Sequence, residues 1–162
     1  MENTWNQNRR YRQDIKKYLS ELKHLVYQPV TETALLSLEE TTAYRTVAIE
    51  LDQVPIFSFT VDSDMRRGEH FSSYIHSLYL GNSEPMLLWT KFSNVCGAYV
   101  LKSIKEFNFS FEFASVEGGV IVLLAKNKQD KLLLDFDTDE NSGRNLMTIE
   151  ARGKSWTTIS YK

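Results

Sequence analysis

The sequence predicts an α+β fold, an antiparallel β-meander sheet with two or three helices packed on one face. Three observations predict it. Tyr11, Ile15, Tyr18, Leu19, Leu22, Leu25 and Val26 recur at three- and four-residue spacing, the stripe of an amphipathic helix. Phe107, Phe109, Phe111 and Phe113 alternate with polar residues at period two, the pattern of a strand with one buried face. Short apolar segments separated by turn residues then continue to the end of the chain.

In chain order, the first helix is predicted from about Asn8 to Val26, closed by Pro29, since a helix rarely runs through the residue before a proline. Leu35, Leu36 and Leu38 offer the start of a short second helix, which the β-branched pair Thr41-Thr42 weakens. From Thr46, Val47, Ile49 and Leu51 alternate with Ala48, Glu50 and Asp52 and read as a strand. After the break from Asp52 to Pro55, Ile56, Phe57, Phe59 and Val61 read as its hairpin partner. Ser63 or Asp64 caps a helix that is running by Glu69 and carries Phe71, Tyr74, Ile75, Leu78 and Tyr79, with Gly81 as its stop.

Met86 to Phe92 reads as a short strand, and Ser93 or Asn94 caps a helix through Lys105, with a strand from Ala98 to Leu101 as the alternative. The phenylalanine strand follows. Gly118-Gly119 marks a turn before the apolar segment Val120 to Ala125, and Leu132 to Phe136 and Leu146 to Ala151 are the next strands. The Gly153-Lys154 turn leads to a final strand through Trp156, Ile159 and Tyr161. The sheet side of the core is expected to be Phe107, Phe109, Phe111, Val120, Val122, Leu124, Leu132, Leu134 and Ile149, and the helical side Ile15, Leu19, Leu22, Phe71, Ile75 and Leu78.

A chain of 162 residues fits one domain, here 1–162, and 42% apolar with 25% charged residues is ordinary for a globular protein. The formal net charge of −2 disfavours a globally basic nucleic-acid binder. Cys96 is the sole cysteine, which rules out an intrachain disulfide and a cysteine-rich zinc site. The opening residues lack the apolar core of a secretory leader, and no apolar run approaches a membrane span. A cytoplasmic protein with no membrane partner is expected.

No arrangement of residues announces catalysis or a cofactor. Asp135, Asp137, Asp139, Glu140 and Asn141 resemble the opening of a calcium loop. Such a loop needs glycine at position six and glutamate at position twelve, where this chain has Glu140 and Leu146. The same four carboxylates, Asp135, Asp137, Asp139 and Glu140, do form an anionic surface suited to a basic partner. Cys96 would need a base such as His70 or His76 within hydrogen-bond reach to act as a nucleophile, and no spacing supports that. Six residues apart, the two histidines do not share a helix face as an i,i+4 metal pair would, and His24 is isolated. Gly118-Gly119 has no phosphate-loop flanks. The cations of the first helix read as a solvated outer face, and the phenylalanine row as core instead of a base-stacking platform.

The short amphipathic helix, the meander ending in the acidic hairpin LLLDFDTDENSG and the tryptophan-containing last segment GKSWTTISY make the chain similar in style to small cytosolic immunity proteins of bacterial polymorphic-toxin systems. The resemblance covers the C-terminal third, contains no diagnostic motif and carries over no residue. It implies a non-enzymatic protein that binds a secreted toxin domain and blocks it. The alternative expectation is a small-molecule or peptide-binding domain, with a pocket between sheet and helices lined by Trp89, Tyr99 or Trp156.

Overall fold

A computed structural model describes residues 4–162. Met1, Glu2 and Asn3, the start of the stretch read for a leader, lie outside the described residues. The predicted class holds: a six-stranded antiparallel sheet and three main helices. Helix α1 spans Thr4–Leu25 and buries Ile15, Tyr18, Leu22 and Leu25, four positions of the predicted stripe. Helix α2 spans Leu38–Glu50, strand β1 Ile56–Asp62, helix α3 Glu69–Gly81 and strand β2 Met86–Trp89. A four-residue helix α4, Ser93–Cys96, precedes strand β3, Tyr99–Leu101. Strands β4 (Val120–Ala125), β5 (Asp130–Thr138) and β6 (Asn145–Gly153) form the meander. The strand order is β1-β6-β5-β4-β2-β3.

Alternation divides the sheet into two faces. Ile121, Leu123, Leu132, Leu134, Phe136, Met147 and Ile149 enter the main core with α1 and α3. Leu87 and Leu124 point to the reverse face, where Tyr44, Val47, Ala48 and Leu51 of the α2 segment pack on them. Among the described residues no helix is long and apolar enough to cross a membrane.

Four segments depart from the sequence reading. Residues 46–51 are expected as a strand, yet 46–50 complete α2 and Leu51 opens the 3-10 turn that follows it, and β1 pairs with β6 instead. The reason lies upstream. Ser37 and Glu40 form a capping box, with Glu40 N donating to Ser37 Oγ at 3.1 Å and Ser37 N to Glu40 Oε2 at 3.1 Å. With the helix started there, Tyr44, Val47, Ala48 and Leu51 fall at helical spacing, and the period-two alternation is a coincidence of residue choice. Thr41 and Thr42 do not weaken it. Thr41 Oγ1 accepts from Ala98 N at 3.0 Å, and Thr42 Oγ1 donates to Leu38 O at 2.8 Å.

The helix expected through Lys105 stops at Cys96, because Gly97 turns the chain at φ +94, and the alternative strand follows as β3. Phe107 to Phe113 is an irregular segment instead of a strand. Its phenylalanines are nonetheless core: Phe107, Phe109 and Phe111 are buried and Phe113 half-buried. The Arg66 guanidinium takes the place of a strand neighbour, with Nη1 donating to Phe109 O at 2.8 Å and to Phe111 O at 2.9 Å. Asn108 N donates to Leu25 O at 2.7 Å. The last segment, Trp156 to Tyr161, is likewise turn and coil. Asp130 Oδ1 accepts from Ser155 N and Trp156 N at 2.8 and 3.1 Å, and the buried indole donates to Leu78 O at 2.9 Å. Among the expected core residues, Val120 is exposed and Val122 half-buried, both on the reverse face.

Candidate functional site

The reverse face of the sheet is only partly covered, and its residues follow from strand register. Val120, Asp135, Thr148 and Thr60 stand in one row across β4, β5, β6 and β1, since each pairs with the next. The Thr60 and Thr148 hydroxyls bond at 2.8 Å. The neighbouring row is Trp89, Val122, Leu133, Glu150 and Ser58, and on the other side lie Asp137, Leu146 and Asp62. One row further, Leu87 and Leu124 lie under α2, and Lys131 and Arg152 are drawn to its C-terminal end. Lys131 Nζ donates to Ala48 O at 2.8 Å and pairs with Asp52, while Arg152 Nη1 donates to Val54 O at 2.9 Å. Cations at the negative end of a helix are favourably placed. Helix α2 therefore covers one end of the face and leaves the rows from Val120 to Thr60 bare.

Where α2 meets the bare rows there is a groove of about 410 Å³. Its apolar surface is Ile49, Trp89, Val120 and Val122, with Arg45 and Lys91 among its cations. Ile49 is 58% exposed and Val120 46%, unusual values for large aliphatic side chains that stand so close together.

The four carboxylates singled out in the sequence fall into two groups. Asp135 and Asp137 project from the bare face of β5, opposite the core side of Phe136. Asp139 and Glu140 lie in the β5–β6 turn. Asp139 builds that turn: its carboxylate accepts from Asn141 N at 3.0 Å and from Ser142 Oγ at 2.7 Å. These bonds, the Ser142 hydroxyl first, hold the carboxyl below its ordinary range. Asp135, Asp137 and Glu140 have no cationic partner among the described residues, whereas the cations around them are committed. Lys131 and Arg152 serve Asp52, and Arg144 serves Asp62. The bare face is thus left negative by its own pairing pattern.

The remaining candidates sit elsewhere. Cys96 is buried at a groove of about 560 Å³ between α1, the 32–38 segment and α4, and no histidine lines that groove. Burial pushes its thiol up to about 11. His70 stacks edge-on against Tyr161 at 4.6 Å, His76 lies against Tyr79 at 6.3 Å, and His24 is exposed near the end of α1. Among the described residues no three His, Cys, Asp or Glu side chains gather as metal ligands would. Trp156 and Tyr99 pack in the core, so of the three aromatics expected to line a pocket only Trp89 reaches a groove. The sequence reading missed Ile49 and Val120 as surface residues. The Ser37-x-x-Glu40 capping box was the signal that turns Ile49 outward.

Comparison with protein-family models, curated proteins and solved structures gave no significant match to the chain.

Proposed function

We propose that this chain is a non-enzymatic, cytoplasmic protein-binding domain of the immunity type, which docks a basic toxin domain on the bare face of its sheet and so blocks it. The supporting observation is the conjunction on one face of Asp135 and Asp137, which have no cationic partner among the described residues, with the apolar groove at Ile49 and Val120, and Glu140 adds its charge from the adjoining β5–β6 turn. An interface of this kind has an apolar centre for affinity and a charged border for orientation and association rate. Like charge makes the face a poor match to a second copy of itself. Its openness and the solid packing of Tyr99 and Trp156 weigh against an enclosed small-molecule pocket.

The test begins with gene neighbourhood, which supplies the partner: the C-terminal domain of a large secreted protein encoded directly upstream. Co-expression should restore growth of cells that make that domain, and titration calorimetry should give a tight complex. The variant Asp135→Asn/Asp137→Asn/Glu140→Gln should weaken the complex on the order of tenfold or more and flatten its salt dependence. Asp139 is left intact, because its substitution would disturb the turn itself. Unchanged affinity and salt dependence in the triple variant would remove the acidic border from the interface. Failure of the neighbouring domain to bind at all would remove the immunity reading.

A further inference from the structure

On the helix-covered side of the molecule, between α3 and the phenylalanine segment, lies a notch of about 310 Å³. Four of its lining residues are cationic or can become so, Arg66, Arg67, His76 and Lys105, and none is acidic. In a chain of net charge −2 this convergence is not what composition alone would place there.

Arg66 makes the notch more than a basic patch. It is 3% exposed, and its partners are neutral oxygens: Phe109 O, Phe111 O, Ser63 O and Ser63 Oγ. The guanidinium also lies over the rings of Phe111 and Phe113, at 5.2 and 4.6 Å from their centres. Among the described residues no carboxylate bonds it, and the nearby Glu112 is taken by Arg67 at 2.8 Å. Arginine remains charged in proteins, and a buried charge is ordinarily matched by a counter-charge. Around the mouth, Lys105 Nζ sits 4.2 Å from the Tyr79 ring centre and, like His76, has no carboxylate partner among the described residues. Tyr27 stands at the lip, 65% exposed, with Ile75 beside it inside the notch.

We propose that this notch binds a phosphate monoester, its phosphate held by Lys105, His76 and the guanidinium donors of Arg67 that Glu112 does not take, in the positive field of Arg66, and its organic part laid against Tyr27 and Ile75. Arginine and lysine supply charge-assisted bonds to phosphate oxygens, and Ser72 adds a hydroxyl at the same wall. The exposed tyrosine gives the apolar part a flat surface that a bare anion would not use. The notch and the bare sheet face lie on opposite sides of the sheet, so this assignment stands apart from the toxin-binding reading.

Phenyl phosphate, inorganic phosphate and phenol are suitable probes, read by thermal shift and by the NMR resonances of the His76 ring in the full chain. Phenyl phosphate should bind, inorganic phosphate more weakly, and phenol not at all. Arg67→Gln and Lys105→Gln, both surface changes, should each weaken phenyl phosphate on the order of tenfold. Lys16→Gln on the outer face of α1 should leave it unchanged. Tyr27→Ala should remove the preference for phenyl phosphate over inorganic phosphate. No perturbation at millimolar phenyl phosphate overturns the proposal, as does equal weakening in all three cation variants, which would be diffuse screening. A preference that survives Tyr27→Ala overturns the placement of the organic part.

Discussion

Lys131 Nζ donates to the Ala48 carbonyl at 2.8 Å, so a buried ammonium on β5 ties the end of α2 to the sheet. Its carboxylate partner, Asp52, is half-exposed, and that asymmetry gives the two halves of the pair different costs. Asp52→Asn strands a buried cation with a carbonyl and a neutral amide and should cost about 1–2 kcal/mol. Lys131→Met keeps the apolar stem under α2 and leaves Asp52 to water and Arg152, so its cost should stay below about 1 kcal/mol. Urea denaturation of the two variants decides it. A larger loss for Lys131→Met would mean that the ammonium itself, and not the geometry of burial, dominates at this joint.

Gly97 carries a different kind of constraint. Its φ of +94 is one that L side chains rarely adopt, and a Cβ there would lie 2.1 Å from Leu36 O. The close approach is functional to the fold, because Leu36 N donates to Ala98 O at 2.9 Å and Thr41 Oγ1 accepts from Ala98 N, latching the start of α2 to β3. Gly97→Ala should destabilise by about 3 kcal/mol or more, combining backbone strain with a backbone clash. Gly143→Ala supplies the control. It also has positive φ, +68, but nothing lies within 4 Å, so about 1 kcal/mol is expected. Equal melting-temperature losses would show that the clash is relieved by movement of residue 36.

These two joints explain which parts of the fold were legible in the sequence. Stripes and alternations that reflect one buried face were read correctly at α1, α3, β5 and β6, where local pattern and tertiary packing agree, whereas β4, apolar on both faces, gave no alternation to read and its core side is Ile121 and Leu123 instead of Val120 and Val122. The pattern misled where another group satisfied the backbone. Phe107 to Phe111 looks like a strand because alternate residues are buried, yet Arg66 and Leu25 take the hydrogen bonds that a strand neighbour would take. Trp156 is buried as a strand residue would be, but Asp130 and Leu78 hold it, residues 26 and 78 positions away. Of the candidate site, the carboxylates of Asp135, Asp137, Asp139 and Glu140 were visible as a cluster. That Asp139 belongs to the turn, and that Ile49 and Val120 border a groove, depends on register and on the sheet order β6-β5-β4-β2, which no local pattern encodes.

Cys96 is predicted to be chemically quiet. Burial raises its thiol to about 11, so at pH 8 the thiolate fraction is on the order of a hundredfold below that of an ordinary cysteine. Alkylation by iodoacetamide at pH 8 should therefore be slower in the folded protein than in urea by about that factor or more. A folded-state rate within tenfold of the unfolded one (roughly the scatter that access alone introduces) would show an activated thiol and reopen the nucleophile reading.

Glu21 offers the sharpest pH test, because it is a carboxyl set inside the main core, only 4% exposed. Its Oε2 accepts from Glu117 N at 2.9 Å, and its Oε1 makes no close hydrogen bond among the described residues. Burial raises its pKa above the ordinary 4.5, and the nearby Glu117 carboxylate adds to the rise, while the Glu117 amide, the Thr90 side chain and Lys91 oppose it. A carboxyl whose folded pKa lies above its unfolded value holds its proton more tightly in the folded state. Stability then falls as pH climbs from the unfolded value through the folded one, and it is flat at both ends. Glu21→Gln keeps an oxygen for Glu117 N and removes the titration. The stability difference, variant minus wild type, should consequently rise as pH is raised from about 4 and level off once Glu21 is ionised in both states. Urea midpoints at a series of pH values measure that slope, and it is insensitive to any constant cost of the amide. A difference that stays flat or falls with pH would mean that the Glu117 amide, the Thr90 side chain and Lys91 already stabilise the carboxylate fully.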